Sequence, residues 1–177
     1  MKFLVVLFCL LYALPAPNDN IKMRWREDRK LTWDDFRGRP SGSPEYVAST
    51  NSGISFSYSY STRNGDIILE YSVQSNFYPE LSWYRSGIVT DYILQHEQTH
   101  FDISELYARK LRQKIEEATF TKNIKLELEA IYSENEKQRQ QTQHKYDKET
   151  EHSKLAEKEF QWRLFIAQKL KKHEYWK

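Results

Sequence analysis

Ile54-Ser55-Phe56-Ser57-Tyr58-Ser59-Tyr60-Ser61-Thr62-Arg63-Asn64-Gly65-Asp66-Ile67-Ile68-Leu69-Glu70-Tyr71-Ser72-Val73 is the stretch whose pattern decides the fold. Ile54, Phe56, Tyr58 and Tyr60 alternate with serines, the period of two of a half-buried strand. Asn64-Gly65 follows, and because both residues tolerate positive φ the chain is expected to turn back there as a hairpin. Ile67, Leu69, Tyr71 and Val73 then supply the buried face of the returning strand. The alternation begins near Val47, persists to about Phe77 and is stopped by Pro79.

Beyond Pro79, from about Ser82, the period changes to that of a helix. Ile88, Tyr92, Leu94, Phe101, Ile103, Leu106, Tyr107 and Leu111 recur at threes and fours, which predicts one long amphipathic helix. Two further helices are expected, from about Lys122 to Lys148 and from about Ser153 to Lys171, the last with Phe160, Leu164, Ile166 and Leu170 as its apolar positions. Within the first of these, the Gln- and Lys-rich piece Glu134 to Lys145 has few apolar residues and reads as an exposed face or a mobile segment. Upstream, Thr32 with Asp35 three residues on marks a short helical turn, and Trp33 and Phe36 are expected to pack the amino-terminal segment against the sheet. A functional reading of the same segment places Trp33 or Arg37 at the rim of a substrate cleft. The fold class is therefore α+β: a small antiparallel sheet packed with a long helix and two later ones.

A chain of 177 residues with 39% hydrophobic and 15% aromatic content is long enough for one domain with one real core. Its 27 basic and 25 acidic residues nearly cancel to +2, so no strong field of one sign steers nucleic acid towards it. Met1-Lys2 and the apolar run Phe3 to Leu14 have the shape of a secretory signal peptide, read as residues 1–16, with Ala13 and Ala16 as cleavage points. The run is short for a membrane span, so residues 17–177 are expected as a single secreted or periplasmic domain without stable membrane insertion. Cys9 is the only cysteine and lies in that signal segment, so the mature chain has no disulfide and no thiol nucleophile. Its stability must come from its core, a metal, or both.

Chemistry enters with Gln95-His96-Glu97-Gln98-Thr99-His100, a His-Glu-x-x-His pattern inside the long helix. Residues four apart on a helix differ by about 40° around its axis, so His96 and His100 point the same way and can share one tetrahedral zinc ion. Glu97 is turned by about 100° from His96, which sets its carboxylate beside a metal and not on it. Such a glutamate takes a proton from a metal-activated water and passes it to a leaving amine, the chemistry of peptide hydrolysis.

Two histidines do not complete a site. Asp102 and Glu105 lie about 200° and 140° around the helix from His100, so a third ligand is sought elsewhere. Of the remaining histidines, His152 in the cluster Tyr146-Asp147-Lys148-Glu149-Thr150-Glu151-His152 is preferred, because a helical hairpin would return it beside the motif. Glu149 is its main competitor, Asp147 or Glu149 is expected to fix a histidine's second nitrogen, and of the other histidines, His144 and His173, the latter is expected to be exposed in a Lys-rich tail beside Trp176. Tyr146 reads either as a core tyrosine or as a donor to an oxyanion.

Three motifs together, Leu31-Thr32-Trp33-Asp34-Asp35-Phe36-Arg37-Gly38-Arg39-Pro40, His96-Glu97-Gln98-Thr99-His100-Phe101-Asp102-Ile103 and Tyr146 to His152, resemble those of a bacterial domain-of-unknown-function family described as predicted secreted zinc-dependent proteases. The resemblance implies a metal site built from His96 and His100 and completed within the last motif, which favours His152. In that family a glycine follows the last histidine, whereas this chain has Ser153. The expected function is a secreted zinc-dependent peptidase, with a peptide or protein as substrate. The alternatives are a non-catalytic envelope protein stabilised by zinc and a cell-wall amide hydrolase.

Overall fold

The hairpin forms as its alternation predicts. The computed structural model describes residues 22–177, so the expected signal peptide, residues 1–16, and Cys9 lie outside the described residues. Strands β3 (Ser52–Arg63) and β4 (Asp66–Phe77) pair antiparallel from Ser52↔Phe77 to Arg63↔Asp66. Asn64 and Gly65 both sit at positive φ, 54° and 91°, the geometry of the tight turn that matches strand twist. Strand β1 (Met23–Arg24) adds to the far side of β4.

The alternation that begins at Val47 does not belong to one strand. Ala48–Ser49 forms a separate strand, β2, which pairs with β5 (Trp83–Tyr84) in a second, two-stranded sheet. Thr50 and Asn51 make the break: Thr50 Oγ1 donates to Glu97 O at 3.2 Å, and Asn51 N donates to Ser82 Oγ at 2.9 Å. Periodicity sees only which face each residue takes, so it runs straight across a change of partner.

The long helix α1 (Asp91–Glu117) starts nine residues later than its periodicity suggests. Trp83 and Tyr84 are claimed by β5, Gly87 takes a left-handed turn at φ 88°, and Ile88 is 54% exposed. Thr90 caps the helix, its side chain accepting from Ile93 N. Helix α1 is central: Ile103, Leu106 and Leu111 meet Ile54 and Val73 of the sheet on one side and Ile124, Leu128, Trp162 and Ile166 of the later helices on the other. A smaller cluster of Trp25, Leu31, Phe36, Phe77 and Phe101 closes its amino-terminal end, with Trp33 packed on Phe36 and Tyr84. The Thr32 turn is thus a packing device, held by Thr32 N donating to Asp35 Oδ2 at 2.8 Å.

Helix α2 (Ile124–Thr150) is continuous through the Gln- and Lys-rich piece. That piece is neither a plain exposed face nor a break. Asn135 and Arg139 are buried in it, Asn135 Nδ2 donating to Tyr107 O and Arg139 Nη1 to Ser52 O, so α2 docks on α1 and the sheet there through hydrogen bonds.

Helix α3 (Ala156–Lys172) turns Trp162, Ile166 and Leu170 inward, while Phe160 and Leu164 are 52% and 47% exposed. Between α2 and α3 the chain turns through Glu151, His152 and Ser153, all left-handed at φ 48°, 52° and 68°. His152 N donates to Asp147 O and Leu155 N to Thr150 O across this turn, which holds it closed. A non-glycine residue in that region carries a cost of about 1 kcal/mol. Ser153→Gly is therefore expected to stabilise the chain by about 1 kcal/mol and raise its melting midpoint by roughly 2–4 °C. Circular dichroism melting of both proteins checks this, and an unchanged or lower midpoint would show that the left-handed turn is not strained at Ser153.

Candidate metal centre

One helical turn separates His96 from His100 on α1, and their rings meet edge to face with centroids 4.8 Å apart. The two Nε2 atoms lie 3.2 Å from each other. Asp147, one turn from the end of α2, closes a triangle with them: its Oδ1 is 3.3 Å from His96 Nε2 and 2.9 Å from His100 Nε2. Zinc bonds of about 2.0–2.1 Å in a tetrahedron put neighbouring ligand atoms about 3.3–3.4 Å apart, so the triangle has nearly the dimensions of one tetrahedral face. Among the described residues this is the group of histidine and carboxylate atoms that converges as a metal site would.

Each histidine is anchored from behind. His96 Nδ1 donates to Glu159 Oε1 at 2.7 Å, and His100 Nδ1 donates to Gln143 Oε1 in a short contact. The Gln143 amide nitrogen returns to His100 O at 2.8 Å, so its side chain clamps both ring and backbone. With a proton held on Nδ1 in both rings, Nε2 is the nitrogen each ring presents to a cation, the arrangement a metal ligand requires. Tyr146, fully buried, stacks on His96 at 4.7 Å and donates its hydroxyl to Glu159 Oε2 at 2.6 Å. It is a core residue and does not line the cleft onto which the triangle opens.

Glu97 lies beside the triangle as its helical offset requires. It is 4% exposed, and its Oε2 has no hydrogen-bond partner among the described residues. An unpartnered buried carboxylate oxygen is costly, and it is the feature here that asks for a further ligand. The triangle and Glu97 open into a cleft of about 500 Å³ whose walls include Tyr46, Ala48, Trp83 and His152. On the β2 wall, Arg85 N donates to Val47 O at 2.8 Å, which makes Val47 and Arg85 a hydrogen-bonded pair. The next residue, Ala48 opposite Tyr84, therefore turns its N–H and C=O away from β5.

A larger cleft of about 940 Å³ lies on the other side of α1, along Trp25, Asp102, Arg109 and Leu170. Its deepest carboxylate is already satisfied, Asp102 Oδ1 accepting from Trp25 Nε1 at 2.7 Å and from Gln98 Nε2 at 2.8 Å. Chemistry, not size, singles out the smaller cleft.

The structure brings His96, Glu97 and His100 together as the motif predicts, with Asp147, and not His152, at the third corner. His152 stands at the rim with its side chain 49% exposed, Nδ1 3.7 Å from Asp147 Oδ1 and its ring edge-on to Tyr46. Glu149 faces away, accepting from Trp162 Nε1 at 2.9 Å, and His173 lies against Lys169 O. Trp33 and Arg37 are not part of the cleft wall. Gln143 and Glu159 were not legible as site residues, although Arg139, Gln143 and Asp147 recur at steps of four and so share one face of α2.

Burial pushes the His96 imidazole towards its neutral form, but hydrogen bonds to Asp147 and Glu159 with the charge of Glu97 outweigh it and raise the pKa to about 9. Burial likewise works against the Asp147 and Glu159 carboxylates, yet contacts with His96, joined by His100 at Asp147 and by Tyr146 at Glu159, hold both below the usual range. In the metal-free protein His96 thus binds its proton more tightly folded than unfolded. That stabilisation, on the order of 3 kcal/mol, is complete below the unfolded value near 6.5 and is lost as pH rises through about 9. A cation at Nε2 displaces the same proton, so metal affinity rises across this window while metal-free stability falls. Urea unfolding in chelator at pH 6 and pH 9.5, beside metal titrations at both, checks the two slopes.

Residues 79–153 match the family model described as bacterial protein of unknown function (DUF922), so that segment is similar to this family. The match contains β5, α1 and α2 and so all three corners of the triangle and Glu97. No curated protein and no solved structure matches the chain.

Proposed function

We propose that this chain is an exported zinc-dependent peptidase, with His96, His100 and Asp147 as metal ligands and Glu97 as general base. The observation that carries the reading is the joint placement of a tetrahedral face of ligand atoms and the unpartnered Glu97 oxygen in one open cleft. Two imidazoles and one carboxylate are a donor set zinc takes readily, and a fourth position left to the cleft is the mark of a catalytic site, as opposed to a closed structural one. Zinc bound there supplies a Lewis acid that polarises a carbonyl and brings the pKa of a water towards about 7.

The protein's own groups do the rest. Glu97 Oε2 accepts a proton from the attacking water and releases it to the leaving amine, a role open to it because no internal partner competes for that oxygen. Glu159 and Gln143 keep the ring protons on Nδ1. The free N–H and C=O of Ala48 offer an extended peptide a strand edge to pair with, and Tyr46 and Trp83 offer apolar walls for its side chains. The amino-terminal signal segment supports an exported location, and no helix of the described residues is long and apolar enough to cross a membrane.

The test is exposure of the zinc-loaded protein to a diverse peptide library with products read by mass spectrometry. Cleavage that a chelator stops and zinc restores supports the reading. A protein that binds zinc and cuts no peptide would favour the non-catalytic alternative.

A further inference from the structure

The metal site rests on a residue outside the segment matched by the family model. Glu159 belongs to the first turn of α3, beyond residue 153 where that match ends, and it is 1% exposed. A carboxylate removed from water this completely is costly unless each oxygen has a strong partner. Both have one: Oε1 accepts from His96 Nδ1 at 2.7 Å and Oε2 from Tyr146 Oη at 2.6 Å. The face of α3 that holds it is otherwise apolar, carrying Trp162, Ile166 and Leu170, so an aliphatic side chain would serve docking alone at least as well. What an aliphatic side chain would not do is hold a proton on Nδ1 of His96 and fix the plane of that ring. Tyr146, stacked on the same ring and bonded to the same carboxylate, locks the pair from the α2 side.

We infer that Glu159 is a positioning residue for the metal centre, setting the tautomer and orientation of His96, so that α3 must be docked for the site to reach full affinity. The inference rests on the metal-site reading above and concerns affinity, not turnover. A carboxylate behind a ligating imidazole strengthens that ligand, and its loss lowers metal affinity by about 10–100-fold.

The experiment compares the full chain with Glu159→Gln and Tyr146→Phe. Zinc affinity is measured by competition with a chromophoric chelator, and the ligand field by the visible spectrum of the cobalt-substituted proteins. Glutamine matches glutamate in shape, which favours a folded variant, but it has one acceptor oxygen for two donors, His96 Nδ1 and Tyr146 Oη, and lacks the negative charge that strengthens His96 as a ligand. The expected result is a 10–100-fold loss of zinc affinity and a shifted cobalt spectrum for Glu159→Gln. Tyr146→Phe should retain affinity to within a few-fold although it unfolds more readily, because the contact between Glu159 and His96 remains. Equal affinity and an unchanged spectrum in Glu159→Gln would overturn the inference while leaving the metal site standing. A native chain that takes up neither ion would overturn both. Should Glu159→Gln not fold, the zinc-loaded native protein decides: a protected, downfield His96 Nδ1–H resonance in its proton spectrum is expected, and absence of that resonance overturns the assignment.

Discussion

Asp147→Ala is expected to lose zinc almost entirely, with affinity lower by a factor on the order of 10³, while His152→Ala keeps about one ion per chain. Asp147 Oδ1 is 3.3 and 2.9 Å from the two Nε2 atoms, closing the triangle, and without it two imidazoles are left to hold the ion with water. Of the three corners His152 approaches only that carboxylate, at 3.7 Å, from a half-exposed position at the rim. Its removal takes away a neighbour of the ligand and no corner of the site. Elemental mass spectrometry on the native chain and both variants, purified alike, decides between them. Zinc lost from His152→Ala and retained in Asp147→Ala would restore the assignment read from the sequence and would require the turn at Glu151–Ser153 to rearrange on binding.

Glu97→Gln is expected to bind zinc as the native chain does and to lose peptide hydrolysis by about 10²–10⁴-fold. Glutamine keeps the volume of the side chain in a position only 4% exposed, so the fold and the triangle should survive. It cannot accept a proton at the atom where the native carboxylate has no partner. The metal measurement separates this outcome from a damaged site, and hydrolysis retained at native rate by the zinc-loaded variant would remove Glu97 from the mechanism. A gain in stability on the same substitution would be a second sign that the native carboxylate is buried at a cost.

Much of the site was legible because it is local. His96, Glu97 and His100 are positioned by the geometry of one helix, and nothing outside that helix is needed to see that two imidazoles share a side and the carboxylate lies next to them. The third corner of the triangle is a tertiary fact. Asp147 and His152 are both close in sequence to the end of α2, and which of them faces α1 depends on where the helix stops and how it rolls against its neighbour. The backbone leaves the helix at Glu151 in a left-handed turn, which carries His152 to the rim, whereas Asp147, one helical turn after Gln143, stays on the inner face.

The polar inner face of α2 explains a second difference. A helix poor in apolar residues is ordinarily read as solvated, because burying polar groups is unfavourable unless each finds a partner. Here Asn135, Arg139 and Gln143 find theirs on Tyr107, Ser52 and His100, none of which is near them in the chain. In α3 the apolar residues form two stripes, Phe160 with Leu164 and Trp162 with Ile166 and Leu170, and spacing alone cannot rank them. Packing against α1 selects the second, and Glu159 comes inward with it.

What the amino-acid sequence by itself determined is therefore the class of the fold, the hairpin with its Asn64-Gly65 turn, the three helices and the half-site on α1, because each depends on periods and turns within a few residues. Only the tertiary structure decided the partner of Ala48–Ser49, the inward face of α3, and the placing of Asp147, Gln143 and Glu159 around the two histidines. Those depend on which surfaces meet across tens of residues of chain, as in the 43 and 63 positions that separate His100 from Gln143 and His96 from Glu159. Contacts of that separation are selected by the packing of whole elements, and no local pattern encodes them.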